Sequence, residues 1–402
     1  MVAYQDFVAL ARSTSSEERG QAAHLAAKAY LNHYGPADEH AALYAALIGF
    51  LEDPSVRVRG ALAYGLLHAA EAPRPILLAL LQDSPVIARA VAQHSPALIE
   101  ADIIALIRGG DAAMLSAIAE RERLGSRCAE ALVGRKDCAV TLMVLRRHDV
   151  GLSAELLTEL SGSPEAGDAS LRGALLSRRD LPASARLRLV EAAARAIAAA
   201  RIVAGAIAPA RLQRLMRDSA DAAVAIIGEV QPAADRAPYA AGLAREGRLS
   251  IRVLLHALVN GQVLFFADCI AELASTPRSK VFTILEHGSR PALNALFGRA
   301  GLGEGVRNLL VRLVLHARAA DLADDMAARH FVVTALTEEL IVEHGGTIPH
   351  DLEDAFSYLS EQNVTLARHA ARGVMAAFAE GDEARPMPAA EPPVETRALA
   401  VA

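Results

Sequence analysis

Tryptophan is absent, and aromatic residues make up only 4% of the 402-residue chain. A core with so few large rings must be built from Ala, Leu, Val and Ile, a palette that suits close-packed helices. Lysine is scarce too. Of 41 basic residues only Lys28, Lys136 and Lys280 are lysines, and the rest are arginines. That bias has two readings, an anion-binding surface that exploits the guanidinium fork or a coding sequence rich in G and C. Excess positive charge is missing, since the formal net charge is −6, so a broad basic face for a nucleic-acid backbone is not expected. Cys128, Cys138 and Cys269 are the only cysteines and show no CxxC spacing. Neither a zinc knuckle nor a disulfide framework is indicated, and reduced, mostly buried thiols are expected. No run of about 18 residues is free of charges and helix breakers, as a membrane span requires. The most apolar stretch, Ala192 to Ala210, is interrupted by Arg195, Arg201, Gly205 and Pro209 and reads as a buried helix. Residues 1–20 carry Asp6, Glu17 and Glu18 and read as no secretory leader. A cytoplasmic protein is expected.

What is present is a procession of short helices. Hydrophobic residues reach 53%, with Leu and Ala recurring at three- and four-residue spacing and no convincing two-residue alternation. Several helix starts are legible. Asp53-Pro54, Ser84-Pro85 and Ser95-Pro96 each pair a capping side chain with proline. Ser15 and Glu18 have capping-box spacing. Gly109-Gly110 followed by Asp111 reads as one helix ending and the next beginning.

Two segments repeat. Residues 47–61 align with residues 77–91, so that Phe50 matches Leu80, Asp53 matches Asp83 and Val56 matches Val86. The step from Asp53 to Asp83, 30 residues, suffices for two helices of about three turns and two tight turns. One such hairpin cannot bury its apolar stripe alone, so neighbours must stack. The pattern Leu-x-x-Leu-Leu-x-Asp-x-Pro-Val-x-x-Arg resembles the HEAT-type repeat, an antiparallel helix pair with Asp in the inner turn and Arg on the second helix. Asp53 with Arg57 and Asp83 with Arg89 carry the likeness, the second displaced because Ile87 holds the usual Arg position. It is good over about residues 40 to 95 and degraded to about 190. The resemblance implies an all-α fold, an α-α superhelix.

Downstream, a longer helical stretch from about 183 to 230 is expected, broken at Pro209. Gln231 to Pro238 is the best linker candidate. Helices are expected again at 249–260, 262–275, 278–287, 291–300, 303–320, 324–343, 349–361 and 363–380. This half resembles an uncharacterised family of alphaproteobacterial proteins, a domain of unknown function with HEAT-like helices. The residues concerned are Gly247-Arg-Leu-Ser, Leu254 to Gly261, Phe265-Phe266 and Pro291 to Leu302. The likeness brings no catalytic motif with it. The expected organisation is a HEAT-like region over 1–230, a second helical region over 239–380 and a tail over 381–402 rich in Pro, Ala and Glu.

Motifs for chemistry are thin. His344-Gly-Gly-Thr-Ile-Pro-His350-Asp351, with Asp354 beyond, is the densest cluster among the 13 histidines. A metal needs three or four converging ligands, and this segment reads better as a loop in which His344 caps one helix and Asp351 favours the start of another. Gly298-Arg-Ala-Gly301-Leu-Gly303-Glu-Gly305 has glycines like a phosphate loop but neither a preceding strand nor a following Lys-Ser or Lys-Thr. No GxSxG occurs. No metal, cofactor or catalytic residue is expected. Arg57, Arg59 and Arg89, early in second helices, are the candidate partner-binding residues. Either they face a concave wall and meet an acidic partner, or they form a ladder, with Arg57 pairing Asp53 or Asp83. The chain is expected to be a non-enzymatic helical-repeat scaffold for a protein partner in bacterial signalling or regulation. A nucleic-acid binder of the base-excising HEAT-like kind and a small-ligand sensory module, with its ligand near residue 235, are the alternatives.

Overall fold

The computed structural model describes residues 4–320, 322 and 324–383. Among them the chain is all-helical, with 23 α-helices from Tyr4–Ala11 to Glu353–Glu383 and two short 3-10 turns. It divides into two compact units, Met1–Ala192 and Ala193–Ala402. The division falls inside the helix Ala183–Ala199, upstream of the boundary expected at 230. No helix among the described residues is long and apolar enough to cross a membrane.

The first unit is built from helix pairs in two layers. One layer runs through Ser16–Leu31, Val56–Leu66, Pro85–His94, Ala112–Ala119, Cys138–Leu145 and Ala169–Ser177, each helix packed on the next. The other includes Ala37–Leu51 against Arg74–Leu80 and Glu100–Gly109 against Ser126–Gly134. One continuous apolar cluster lies between them, from Ala22 to Leu189. Phe50 and Leu80, the aligned positions of the repeat, are both buried in it. The small side chains of Ala22, Ala23, Ala26 and Ala27 let Ser16–Leu31 approach Val56–Leu66 closely. At the contact, Gly65 leaves so little room that a Cβ there would stand 2.6 Å from that of Ala27.

Helix starts follow local chemistry in part. Asp111 caps Ala112–Ala119 and accepts from the Met114 amide at 2.8 Å, and Ser15 caps Ser16–Leu31 through Glu17. Ser84 holds the N-cap position before Pro85, as its sequence implies, but its hydroxyl makes no capping bond. Two expectations fail. Ser95-Pro96 marks an end rather than a start, because Ser95 is the C-cap of Pro85–His94 and proline suits the position just beyond a helix equally well. Asp53 takes the Ser55 amide at 2.8 Å in a local turn, and Ser55 becomes the N-cap.

The second unit centres on Ile251–Val259, whose residues 252 to 259 are all buried. It packs on Pro209–Glu229, Val263–Leu273, Glu304–Ala319 and Glu353–Glu383. The expected linker is helical from Ala233, and Pro238 lies inside Ala233–Arg245. Burial of Arg236, Tyr239, Ala240 and Leu243 against Val263–Leu273 outweighs the hydrogen bond that proline cannot make. The two helices expected at 349–361 and 363–380 are one, Glu353–Glu383. Asn363 does not end it, and its Oδ1 accepts from the Thr334 hydroxyl at 3.1 Å. The helix covers residues 381–383 of the expected tail, and the remainder of that tail lies outside the described residues.

Candidate functional site

The three arginines singled out in the sequence part company. Arg59 is held within the fold, with Nε 2.5 Å and Nη2 2.9 Å from the two Asp83 carboxylate oxygens and Nη1 donating to the Asp53 carbonyl at 2.7 Å. The ladder therefore exists, but Arg59 forms it and Arg57 does not. Two residues along a helix is about 200° of rotation, so Arg57 turns to solvent with only Glu17 at 3.7 Å. Arg89 is half-buried and donates to the Pro85 carbonyl of its own helix at 2.9 Å. The same forked pairing recurs in Arg19 with Asp53 and Arg74 with Asp102. Each arginine's hydrogen bonds hold its aspartate below the usual carboxylate range.

A second ladder was not read from the sequence. A helix leaves its last carbonyls without partners, and in the first unit an arginine from further along the chain supplies them. Arg121 donates to the carbonyls of Ala92 and Ser95, at the end of Pro85–His94. Arg147 donates to Ala119, Arg121 and Glu122 after Ala112–Ala119. Arg178 donates to Leu145, Arg147 and Val150 after Cys138–Leu145, at 3.2, 2.9 and 2.7 Å. Arg186 closes the series on Leu176 and Arg178. The clue was an Arg two residues beyond a helix end at Arg121 and Arg147. Only the stacking of pairs shows which carbonyls these side chains reach.

The second unit holds a buried ionic cluster. Arg252 and His256 stand one turn apart on the central helix and so share a face. Arg252, with its side chain 8% exposed, meets Asp218 at 2.7 Å, Glu361 at 2.9 Å and Asp221 at 3.1 Å. Arg217 meets Glu361 at 2.8 Å. The Arg252 guanidinium lies 5.3 Å from the centre of the Tyr358 ring, and the Tyr358 hydroxyl shares a hydrogen bond with His256 Nδ1 at 3.3 Å. Burial raises the carboxyls of Asp218 and Asp221. Burial, with the cations Arg329 and Arg252 adding to it, lowers His256 to about 4. The imidazole is therefore neutral at pH 7. These groups face one another across three helices, and their contacts bind Pro209–Glu229, Ile251–Val259 and Glu353–Glu383 together.

The remaining sequence candidates are placed as follows. His344 is the C-cap of Met326–Glu343, and exposed His350 meets Glu353 at 3.2 Å. No group of three or more His, Cys, Asp or Glu among the described residues is arranged to hold a metal. Around Gly303, the N-cap of Glu304–Ala319, the Asp351 carboxylate occupies the ground a phosphate would need, 2.9 Å from where a Cβ on Gly305 would lie. Cys128 and Cys269 are buried, Cys138 is exposed, and all three are free thiols.

The chain belongs to the family described as an uncharacterised protein conserved in bacteria, DUF2336, which it matches over residues 87–347. No curated protein matches it. Among solved structures it is similar to a crystal structure of an engineered protein, at 17% identity over 90% of this chain and 98% of that one, with a TM-score of 0.24. So low a score carries no argument about fold or function.

Proposed function

We propose that this protein is a non-enzymatic scaffold, a HEAT-type superhelix of an alphaproteobacterial cytoplasm whose helix pairs present a surface to a protein partner in signalling or regulation. One observation carries the reading. Val56 and Val86 are equivalent positions on successive second helices, and they stand 48% and 70% exposed. A large apolar side chain repeated in water at the period of the fold contributes nothing to the core, and it suits a partner that lies across several pairs. Exposed Arg57 and half-buried Arg89 follow these valines on the same two helices. They give the apolar row a polar rim, as protein interfaces have.

The test is capture of a specific protein from the source cells by the full chain, repeated with Val56→Glu and Val86→Glu together. Both sites are exposed, so the fold is expected to persist. Loss of the captured protein supports the reading. Failure to capture any specific protein, or undiminished capture by the double variant, overturns it.

A further inference from the structure

The ladder that closes the helix ends in the first unit leaves a set of cations with no structural task. The segments 121–123, 145–147 and 178–179 lie in adjacent rows, because Arg147 donates to the carbonyls of Arg121 and Glu122 while Arg178 donates to those of Leu145 and Arg147. Each row points one arginine inward, Arg121, Arg147 or Arg178, and carries an exposed neighbour, Arg123, Arg146 or Arg179. Cations commonly collect at helix C-termini to satisfy the last carbonyls and the negative end of the dipole. Here the inward arginines already do that. Two of the anions on this edge are neutralised as well, Asp149 by Arg147 and Asp180 by Arg178, each at 2.5 Å, while exposed Glu122 stands next to Arg123 in the first row. Arg123, Arg146 and Arg179 make no ion pair or side-chain hydrogen bond among the described residues, and exposed His148 lies beside them. A cleft of about 580 Å³ opens between the last two rows, lined by His148, Gly151, Arg178, Arg179 and Asp180 among others.

We propose that this edge, centred on Arg123, Arg146, His148 and Arg179, is a docking surface for an extended acidic polypeptide segment. The inference rests on the scaffold reading and adds the chemistry of the partner and a place for it away from Val56 and Val86. Neighbouring helices in one layer stand about 8–10 Å apart, so the rows present one free guanidinium per step of that size. A segment in the polyproline II form, extended with three residues per turn and a rise of about 3.1 Å, sets every third side chain on one face about 9 Å apart, which brings a carboxylate at every third residue into register. Duplex nucleic acid is the poorer fit. It carries a charge every ~1.7 Å of axis, far denser than this row, and the chain around the row is net acidic at −6. None of residues 119–123, 145–151 or 176–180 is Phe, Tyr or Trp, so no ring stands ready to stack a base.

The experiment uses the full chain and a fluorescent synthetic peptide of about twelve residues with Glu at every third position. A Lys-for-Glu peptide and a single-stranded DNA of similar length serve as the other probes. At low salt the Glu peptide is expected to bind and the Lys peptide not. Arg123→Glu, Arg146→Glu and Arg179→Glu combined are expected to weaken binding about tenfold or more with the thermal transition unchanged. Arg57→Glu with Arg89→Glu is expected to bind the Glu peptide as the parent does. Absent binding of the Glu peptide, equal binding by the triple variant, or tighter binding of the DNA overturns the proposal. Capture of a cellular protein that depends on Val56 and Val86 would leave the scaffold reading intact after such a failure. Peptide binding without any captured protein would sink the scaffold reading alone.

Discussion

Arg147 donates a hydrogen bond to the backbone carbonyl of Arg121, the residue that closes the preceding helix in the same layer. Arg178 in turn donates to the carbonyl of Arg147 at 2.9 Å. Each helix end is thus completed by the next pair, and consecutive pairs are joined by polar bonds as well as by shared apolar surface. The side chain of Arg178 is 2% exposed and saturated by three carbonyls and Asp180. Removing it would leave buried acceptors without donors.

Arg178→Ala is expected to destabilise the first unit by about 3 kcal/mol, within the range for stranding partners of a buried charged group. Arg178→Lys should recover little, because an ammonium cannot reproduce the planar fork. Arg57→Ala, on an exposed side chain, and Arg89→Ala, on a half-buried one that donates to its own helix, are expected to change stability by less than ~0.5 kcal/mol. Chemical denaturation of the four variants checks the ranking, and equal losses at Arg178 and Arg57 would contradict the ladder.

Gly228→Ala tests a close approach in the second unit. A Cβ there would stand 2.1 Å from Cδ2 of Phe265, a fully buried ring. Helix propensity alone would favour alanine by about 1 kcal/mol. Overpacking is expected to reverse the sign and cost about 1–3 kcal/mol. Gly173→Ala, where nothing lies within 4 Å, is the control expected to stabilise.

His256 makes the second unit sensitive to acid. Its folded pKa of about 4 lies below the ordinary 6.5. The unfolded chain therefore takes up the proton first, and stability present above pH 6.5 is lost as pH falls toward 4. At pH 5 the loss from this residue amounts to about 2 kcal/mol. Asp218 and Asp221, raised by burial, act in the opposite sense. Comparison with His256→Leu isolates the imidazole. The variant should be less stable at pH 7, where Tyr358 loses its hydrogen-bond partner, and the gap in Tm should narrow between pH 7 and 5. A constant gap would show that His256 does not titrate in this way.

Asp268, with its side chain 1% exposed, lies 3.0 Å from Arg236 and 2.8 Å from Arg278. Asp268→Ala leaves the buried guanidinium of Arg236 uncompensated and is expected to cost about 3–5 kcal/mol. Adding Arg236→Met should restore much of that loss, because an apolar side chain of similar length needs no counterion. A double-mutant cycle by denaturation reads the coupling directly.

The helical character, the 30-residue step and several caps were legible in the sequence because each depends on neighbours within one or two turns. Asp111 caps where it was expected to, and Ser84 stands at the expected N-cap position although its hydroxyl makes no capping bond. Other signals are degenerate at short range. Ser-Pro stands as readily after a helix as before one, which misplaced Ser95. Pro238 marks a linker until Tyr239 and Leu243 find a partner helix. The arginine roles exchanged for a similar reason: Arg57 and Arg59 are alike in sequence, and only the position of Asp83 across the turn selects Arg59.

By itself the sequence determined that this chain forms short amphipathic helices in repeating pairs, since periodicity and capping are local properties of the polypeptide. Tertiary structure alone decided which arginines became internal fasteners and which were left in water. It also brought Arg252, His256, Tyr358 and Glu361 into one buried cluster. The physical reason is that a hydrogen bond spanning some 30 or 100 residues depends on where whole helices come to rest, and no local pattern encodes that.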